Sequence, residues 1–217
     1  WSIYFALLHE GTKAPAVLFY DQAQRPPFRG SGGFDASFLA EHFSQPAFAR
    51  LPHALRYTQP IFDFLQTLNA PGTERLIEQL CEPDDLPEGP EVVSVDLEDS
   101  TPSAVLKAVE KIIRNWIDDG YCQPEDILIL HARTRLNDSA LGSCETLGGL
   151  PLVEYGESMD DKRCIRHLSI NRAKGLDSLA VILLGVLPFQ KTRRADGQYT
   201  YFMGASRAKQ LLGIVHS

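Results

Sequence analysis

The chain has 217 residues, 44% hydrophobic and 23% charged, with 16 glycines, 14 prolines and a formal net charge of −7. That balance excludes a disordered or fibrous protein, and folding at this length buries roughly 70% of the unfolded surface, so the core needs neither disulfides nor a structural metal. Cys81, Cys122, Cys144 and Cys164 lie 41, 22 and 20 positions apart, without the Cys-x-x-Cys spacing that zinc or thiol exchange requires, so they read as reduced, buried thiols of a cytoplasmic protein.

The longest strongly apolar run, 179–187, has nine residues, about half a membrane span, and no signal peptide opens the chain. A start at Trp1, with methionine only at Met159 and Met203, reads as a piece of something longer.

In chain order, residues 16–20 (AVLFY, with Asp21 following) form a short apolar run that reads as a buried parallel strand. Residues 22–35 hold two prolines, three glycines and two arginines and read as a loop, and 36–43 suits a helix. Ile61, Phe62, Phe64, Leu65 and Leu68 recur at helical spacing after Pro60, with Pro71 and Gly72 as the stop. Residues 92–97 predict a strand, after which Thr101 caps a helix carrying Val105, Leu106, Val109, Ile112, Ile113 and Trp116 on one face, stopped by Gly120. Further strands are predicted at 126–131, 152–155, 165–170 and 179–186, then a helix over 201–209 and a strand over 211–215.

Apolar strands alternating with helices predict an α/β fold, a parallel sheet with helices on both faces. Ligands of such sheets sit beyond the carboxyl ends of the strands, which directs attention to the loops after Tyr20, Ile170 and Val186. Charge is unevenly spread as well. Residues 1–161 carry 11 Lys/Arg against 26 Asp/Glu, net −15, whereas residues 162–217 carry 10 against 2, net +8. A basic quarter of this kind can hold phosphates although the whole chain is acidic.

Three segments carry chemistry. In Tyr20-Asp21-Gln22-Ala23-Gln24 an uncharged amide follows a strand and suits a phosphate oxygen or an attacking water. Ile170-Asn171-Arg172-Ala173-Lys174-Gly175-Leu176-Asp177 places two cations and a glycine between two strands, as a phosphate loop would. Gly204-Ala205-Ser206-Arg207-Ala208-Lys209 offers small residues for close packing and presents Arg207 and Lys209 outward, arginine being suited to a transferring phosphoryl group. Each alone is equally a polar strand end, a solvated loop or a surface helix. The six histidines show no metal-ligand spacing, and no Gly-Lys-Ser/Thr follows Arg29-Gly30-Ser31-Gly32-Gly33 to make it a phosphate loop.

Together with LRYTQPI at 55–61, these segments, YDQAQ, SINRAKGLDSLAVILLG at 169–185 and YFMGASRAKQLL at 201–212, resemble motifs III to VI of superfamily 1 helicases of the UvrD/Rep type, in order and in strand context. The resemblance implies the C-terminal part of an ATP-dependent DNA helicase. Residues 1–50 would be the remnant of the first RecA-like domain and 51–217 the second RecA-like motor domain. It implies ATP and Mg2+ as cofactors, with the metal's ligands in the absent N-terminal RecA-like domain. Gln24 then senses the γ-phosphate, and Arg56 and Arg207 are directed at it, Arg207 as arginine finger. Gly175 and Asp177 belong to the ATP-binding set. Ser169, Asn171, Arg172 and Lys174, with Phe28 and Arg29 near motif III, contact single-stranded DNA; the pattern does not separate DNA from RNA. Movement toward the strand's 5′ end is what the family implies. The piece alone is expected not to hydrolyse ATP, and Arg207→Ala in the full-length protein to end turnover with the fold largely intact.

The sequence also departs from the family forms. Asn171 stands for a histidine, Asp177 for a glutamate, Ser206 for a threonine and Ala54-Leu55 for Asn-Tyr, while Pro26-Pro27 replace an isoleucine and a base-stacking aromatic. Phe28 would supply that stacking one position later. The other reading is a degenerate helicase-like module that docks nucleic acid or protein without ATPase.

Overall fold

The computed structural model describes residues 57–68, 86–98, 101–132, 139–142, 144–157, 163–192 and 195–216. The chain parts into two units, Trp1–Pro52 and His53–Ser217, and every described residue lies in the second. The strands are β1 (Val93–Asp96), β2 (Ile127–His131), β3 (Thr146–Leu147), β4 (Leu150–Glu154), β5 (Ile165–Ser169), β6 (Ser178–Val186) and β7 (Ala208–His216); the helices are α1 (Gln59–Thr67), α2 (Pro102–Asp118) and α3 (Ala195–Ala205).

All seven strands among the described residues join one sheet in the order β1-β7-β6-β2-β5-β4-β3. Every pairing is parallel except β3 with β4. Position explains composition. β2 lies between β6 and β5 and is buried at all five residues, so it reads Ile-Leu-Ile-Leu-His, while β1 at the edge alternates partly buried with exposed and reads Val-Ser-Val-Asp.

α2 begins where Thr101 Oγ1 accepts from the Ala104 N–H at 3.4 Å, with Pro102 in the first turn. Its buried stripe of Val105, Val109, Ile112, Ile113 and Trp116 packs on Ile127, Ile129, Ile165, Ile182, Leu184, Leu211 and Val215. Burial at about 1.5–3 kcal/mol per large apolar side chain, an upper bound, makes this stripe the main attachment of the helix. The opposite face receives α3. A Cβ on Gly204 would lie 2.7 Å from Leu183 Cδ2 and 3.4 Å from Ile170 Cδ1, so helix and sheet approach as closely as only glycine permits. Helices thus cover both faces, as the apolar strands predict.

Three local expectations change. The helix and strand predicted at 201–209 and 211–215 are α3 at Ala195–Ala205 and β7 at Ala208–His216. The helix stops early because the Ser206 hydroxyl and Arg207 Nε both donate to the Met203 carbonyl, at 3.2 and 3.1 Å, capping its last turn. Leu147-Gly148-Gly149-Leu150 makes a hairpin between β3 and β4 that was not expected, both glycines at positive φ (59° and 81°), as a two-residue turn requires. The helix after Pro60 closes at Thr67, before Pro71.

The connection from β5 to β6 has no helix. His131 pairs with both Ser169 and Leu184, so the chain leaves β5 level with Leu184 and enters β6 six residues lower, at Ser178. Eight residues must return about 20 Å along the strand direction. A helix of that length would span only about 12 Å. Residues 170–177 therefore cross the sheet as a chain of turns, and one short loop reaches both the carboxyl and the amino edge.

Among the described residues no helix is long and apolar enough to cross a membrane. Cys122, Cys144 and Cys164 are free thiols, Cys122 pushed up to about 11 by burial and by Asp126, which makes it inert.

Candidate functional site

At the amino edge, three of the segments singled out in the sequence meet. The Tyr57 hydroxyl donates to the Ser206 carbonyl at 3.3 Å, and the Thr58 N–H to the Lys209 carbonyl at 3.1 Å, tying 57–58 to the start of β7. The Ser178 N–H donates to the Arg207 carbonyl at 3.0 Å, and the Ser178 hydroxyl to the Asp126 carbonyl at 2.7 Å, tying the start of β6 to β7 and β2. Arg207 lies within this junction at 2% exposure. Nε donates to Met203 O at 3.1 Å, one terminal nitrogen to Leu176 O at 3.4 Å and the other to Ser206 Oγ at 3.4 Å, while Asp177 Oδ1 stands 3.7 Å away. A buried guanidinium persists only with acceptors and counter-charge of this kind. Gly175, at φ +83°, makes the turn that aims Leu176 and Asp177 at the arginine, a conformation costly for any side-chain-bearing residue.

The expectation that Arg207 faces outward is thus corrected; it points into the protein because carbonyls of α3 and of the crossing loop claim its donors, and Lys209 alone of the pair is exposed. Two of the singled-out residues also lie away from the carboxyl edge to which the sequence directs attention. Asp177 and Arg207 precede β6 and β7 and lie at the amino edge.

The carboxyl edge holds the other part of the segment. Ser169 closes β5, 5% exposed, and its carbonyl accepts from the N–H groups of Arg172 and Ala173 at 2.9 and 3.1 Å. The resulting turn exposes Asn171 and Arg172, and Lys174 is exposed further along the crossing. Arg172 is ion-paired with Glu154 at the end of β4. Beneath lie two histidines that sequence spacing did not flag, since they come from separate strands: His131 and His167, ring centroids 6.0 Å apart. Burial, the neighbouring His131 and Arg172 push His167 below the ordinary imidazole range against the pull of Glu154 and Glu157. Its Nδ1 is buried without a hydrogen-bond partner among the described residues. Among those residues no group of three or more His, Cys, Asp or Glu is placed to hold a metal ion.

Tyr155 follows β4 at 37% exposure, with the Arg166 guanidinium carbon 5.9 Å from its ring centroid. On the same edge His216 closes β7, its Nε2 3.1 Å from Ser94 Oγ and 3.8 Å from Asp96 Oδ1. Gln24, Phe28, Arg29 and Arg56 lie outside the described residues.

No protein-family model matches the chain, and no curated protein matches it. Among solved structures it is similar to the crystal structure of the C-terminal domain of a possible DNA helicase from Lactobacillus plantarum WCFS1, at 20% identity and a TM-score of 0.49, over 75% of this chain and 87% of that one.

Proposed function

We propose that this chain is the C-terminal part of an ATP-dependent superfamily 1 DNA helicase or translocase, with residues 51–217 as its second RecA-like motor domain and residues 1–50 left from the first. The observation that supports this most is the convergence at the amino edge. Segments 57–61, 175–177 and 206–209, which resemble motifs IV, V and VI, are bonded to one another through Tyr57–Ser206, Thr58–Lys209 and Arg207–Asp177. Such a convergence supports the reading because the nucleotide set of such a motor would have to act as one.

The donor chemistry there fits a phosphate: a guanidinium held by Met203 O, Leu176 O and Ser206 Oγ, with the Asp177 carboxylate at a distance longer than a hydrogen bond. ATP bound between two motor domains would present its γ-phosphate to Arg207 and Arg56, with Gln24 as sensor and Gly175 and Asp177 beside them. Mg2+ would be held by the partner domain. Ser169, Asn171, Arg172 and Lys174 would meet single-stranded DNA. The chain alone then lacks ATPase activity.

One observation favours the alternative, a degenerate docking module: every Arg207 nitrogen already has an internal acceptor, as in a purely structural arginine. Arg207→Lys in the full-length protein separates the two. A motor loses about a thousandfold in DNA-stimulated ATP turnover, measured by phosphate release, with nucleotide affinity nearly unchanged. Wild-type turnover in that variant, or no turnover in the full-length wild type, overturns the motor reading.

A further inference from the structure

We infer that Tyr155 is a base-stacking platform for an unpaired nucleotide at the carboxyl edge, an inference that rests on the single-strand reading above and adds to it a residue outside the segments that suggested it. Tyr121, Tyr155 and Leu187 are the large apolar side chains that stand exposed among the described residues, at 50%, 37% and 54%. Tyr121 follows α2, and Leu187 has no π-face. Tyr155 alone is an aromatic ring on the edge that carries Ser169 and Asn171.

Its backbone is fixed. The Tyr155 N–H donates to the His167 carbonyl at 2.9 Å, extending the β4–β5 pairing one residue beyond β4, so the ring emerges from the rigid end of the sheet. Arg166 stands at 5.9 Å from its centroid, close enough for the guanidinium to steady the ring and add positive potential. Arg172 is ion-paired with Glu154, the residue just before Tyr155, so the exposed turn at 171–172 and Tyr155 share the carboxyl edge. A base on an aromatic face, with backbone phosphates beside arginine, asparagine and serine, is how proteins hold single strands without reading sequence. Glu154 and Glu157 bracket Tyr155 in the turn after β4, the Glu157 N–H donating to the Glu154 carbonyl at 3.1 Å. Glu157 repels phosphate there, whereas the Glu154 charge is balanced by Arg172.

The occupant is therefore a single strand. In a duplex the π-face of each base is stacked within the helix and closed to a side chain.

The test uses the whole chain, a fluorescein-labelled oligodeoxythymidine and a duplex of similar length, read by fluorescence anisotropy at low salt. Tyr155→Ala is expected to weaken single-strand binding roughly five- to a hundredfold, Tyr155→Trp to retain it, and duplex binding to be unchanged in both. Circular dichroism and melting confirm that both variants fold, as the exposure of the side chain leads one to expect. Equal single-strand affinity in wild type and Tyr155→Ala removes the platform and leaves the helicase reading standing. An equal loss on the duplex removes it too, because Tyr155 would then act only through the scaffold. If the wild-type chain binds no oligonucleotide, the single-strand reading itself falls and this inference falls with it.

Discussion

The two edges of the sheet are built on opposite principles. At the amino edge the central residue faces inward: Arg207 is 2% exposed and is held by backbone carbonyls of α3 and of the crossing loop, with Asp177 and Lys209 exposed around it. At the carboxyl edge Asn171, Arg172 and Tyr155 are exposed, and Arg172 is tied to Glu154 by an ion pair between side chains. An edge fixed through backbone carbonyls can hold one charge in one orientation, which suits a phosphoryl group. An edge of exposed side chains tolerates a ligand that slides, which suits a strand. Both depend on residues 170–177, so whatever shifts that loop moves both.

The largest expected effect breaks the amino edge. Arg207→Ala takes the Arg207 donor from the Leu176 carbonyl, leaves the Met203 carbonyl only the Ser206 hydroxyl of its two side-chain donors, and removes the guanidinium 3.7 Å from Asp177. Unsatisfied buried acceptors cost about 1–3 kcal/mol each, so this variant loses stability as well as turnover, contrary to the expectation of an intact fold. Denaturant unfolding should show a midpoint lowered by an amount equivalent to about 1–3 kcal/mol, with single-strand affinity in the surviving folded fraction unchanged. An unshifted midpoint would show that the internal acceptors do not hold the arginine.

Next comes the shared loop. A Cβ on Gly175 would meet nothing within 4 Å, so Gly175→Ala is opposed by backbone strain alone. At φ +83° that strain is about 1–2 kcal/mol. At about 2–4 °C per kcal/mol for a chain of this size, the melting temperature should fall by several degrees. Because the loop serves both edges, ATP turnover of the full-length protein and single-strand binding should both decline. Ser169→Ala should reduce binding alone, and Arg207→Lys turnover alone. A Gly175→Ala variant that impairs one function and spares the other would show that the edges are independent.

This division explains what the sequence disclosed and what it did not. β2 and β6 were legible because central parallel strands are apolar along their whole length, and α2 because Thr101, a periodic stripe and Gly120 mark its start, face and stop. Asp177 and Arg207 were legible as residue types at a spacing. The burial of Arg207 was not, since it depends on which carbonyls the fold delivers, and those come from Met203 and Leu176, residues whose side chains announce nothing. The Gly148-Gly149 turn carried a readable hairpin signal that short strands obscured. Tyr155 and the His131–His167 pair lay in no motif. Only the register of β4, β5 and β2 brings them to one edge.

The smallest expected effect concerns acid, and it should separate the edges once more. His167 and His216 both lie at the carboxyl edge, and burial pushes each below the ordinary imidazole range, although Asp96 and the Val186 carbonyl pull His216 the other way. A histidine of lowered pKa binds its proton more readily in the unfolded chain. As pH falls through about 6.5 the unfolded state therefore takes up protons first, and stability declines until the folded-state pKa is passed. Above that window both states are neutral and the two histidines contribute no pH dependence. Protonation opposes burial locally, so amide protection factors, corrected for intrinsic exchange, should fall below pH 6.5 at Leu168, Ser169 and Val215 before they fall at Ser178 and Ala208 on the amino edge. His167→Gln should remove part of the decline without altering stability near pH 8 by more than about 1 kcal/mol, because the Nδ1 it replaces has no hydrogen-bond partner among the described residues. Equal acid loosening at both edges would mean that the two act as one cooperative unit, and that their difference lies in what they expose rather than in how firmly each is held.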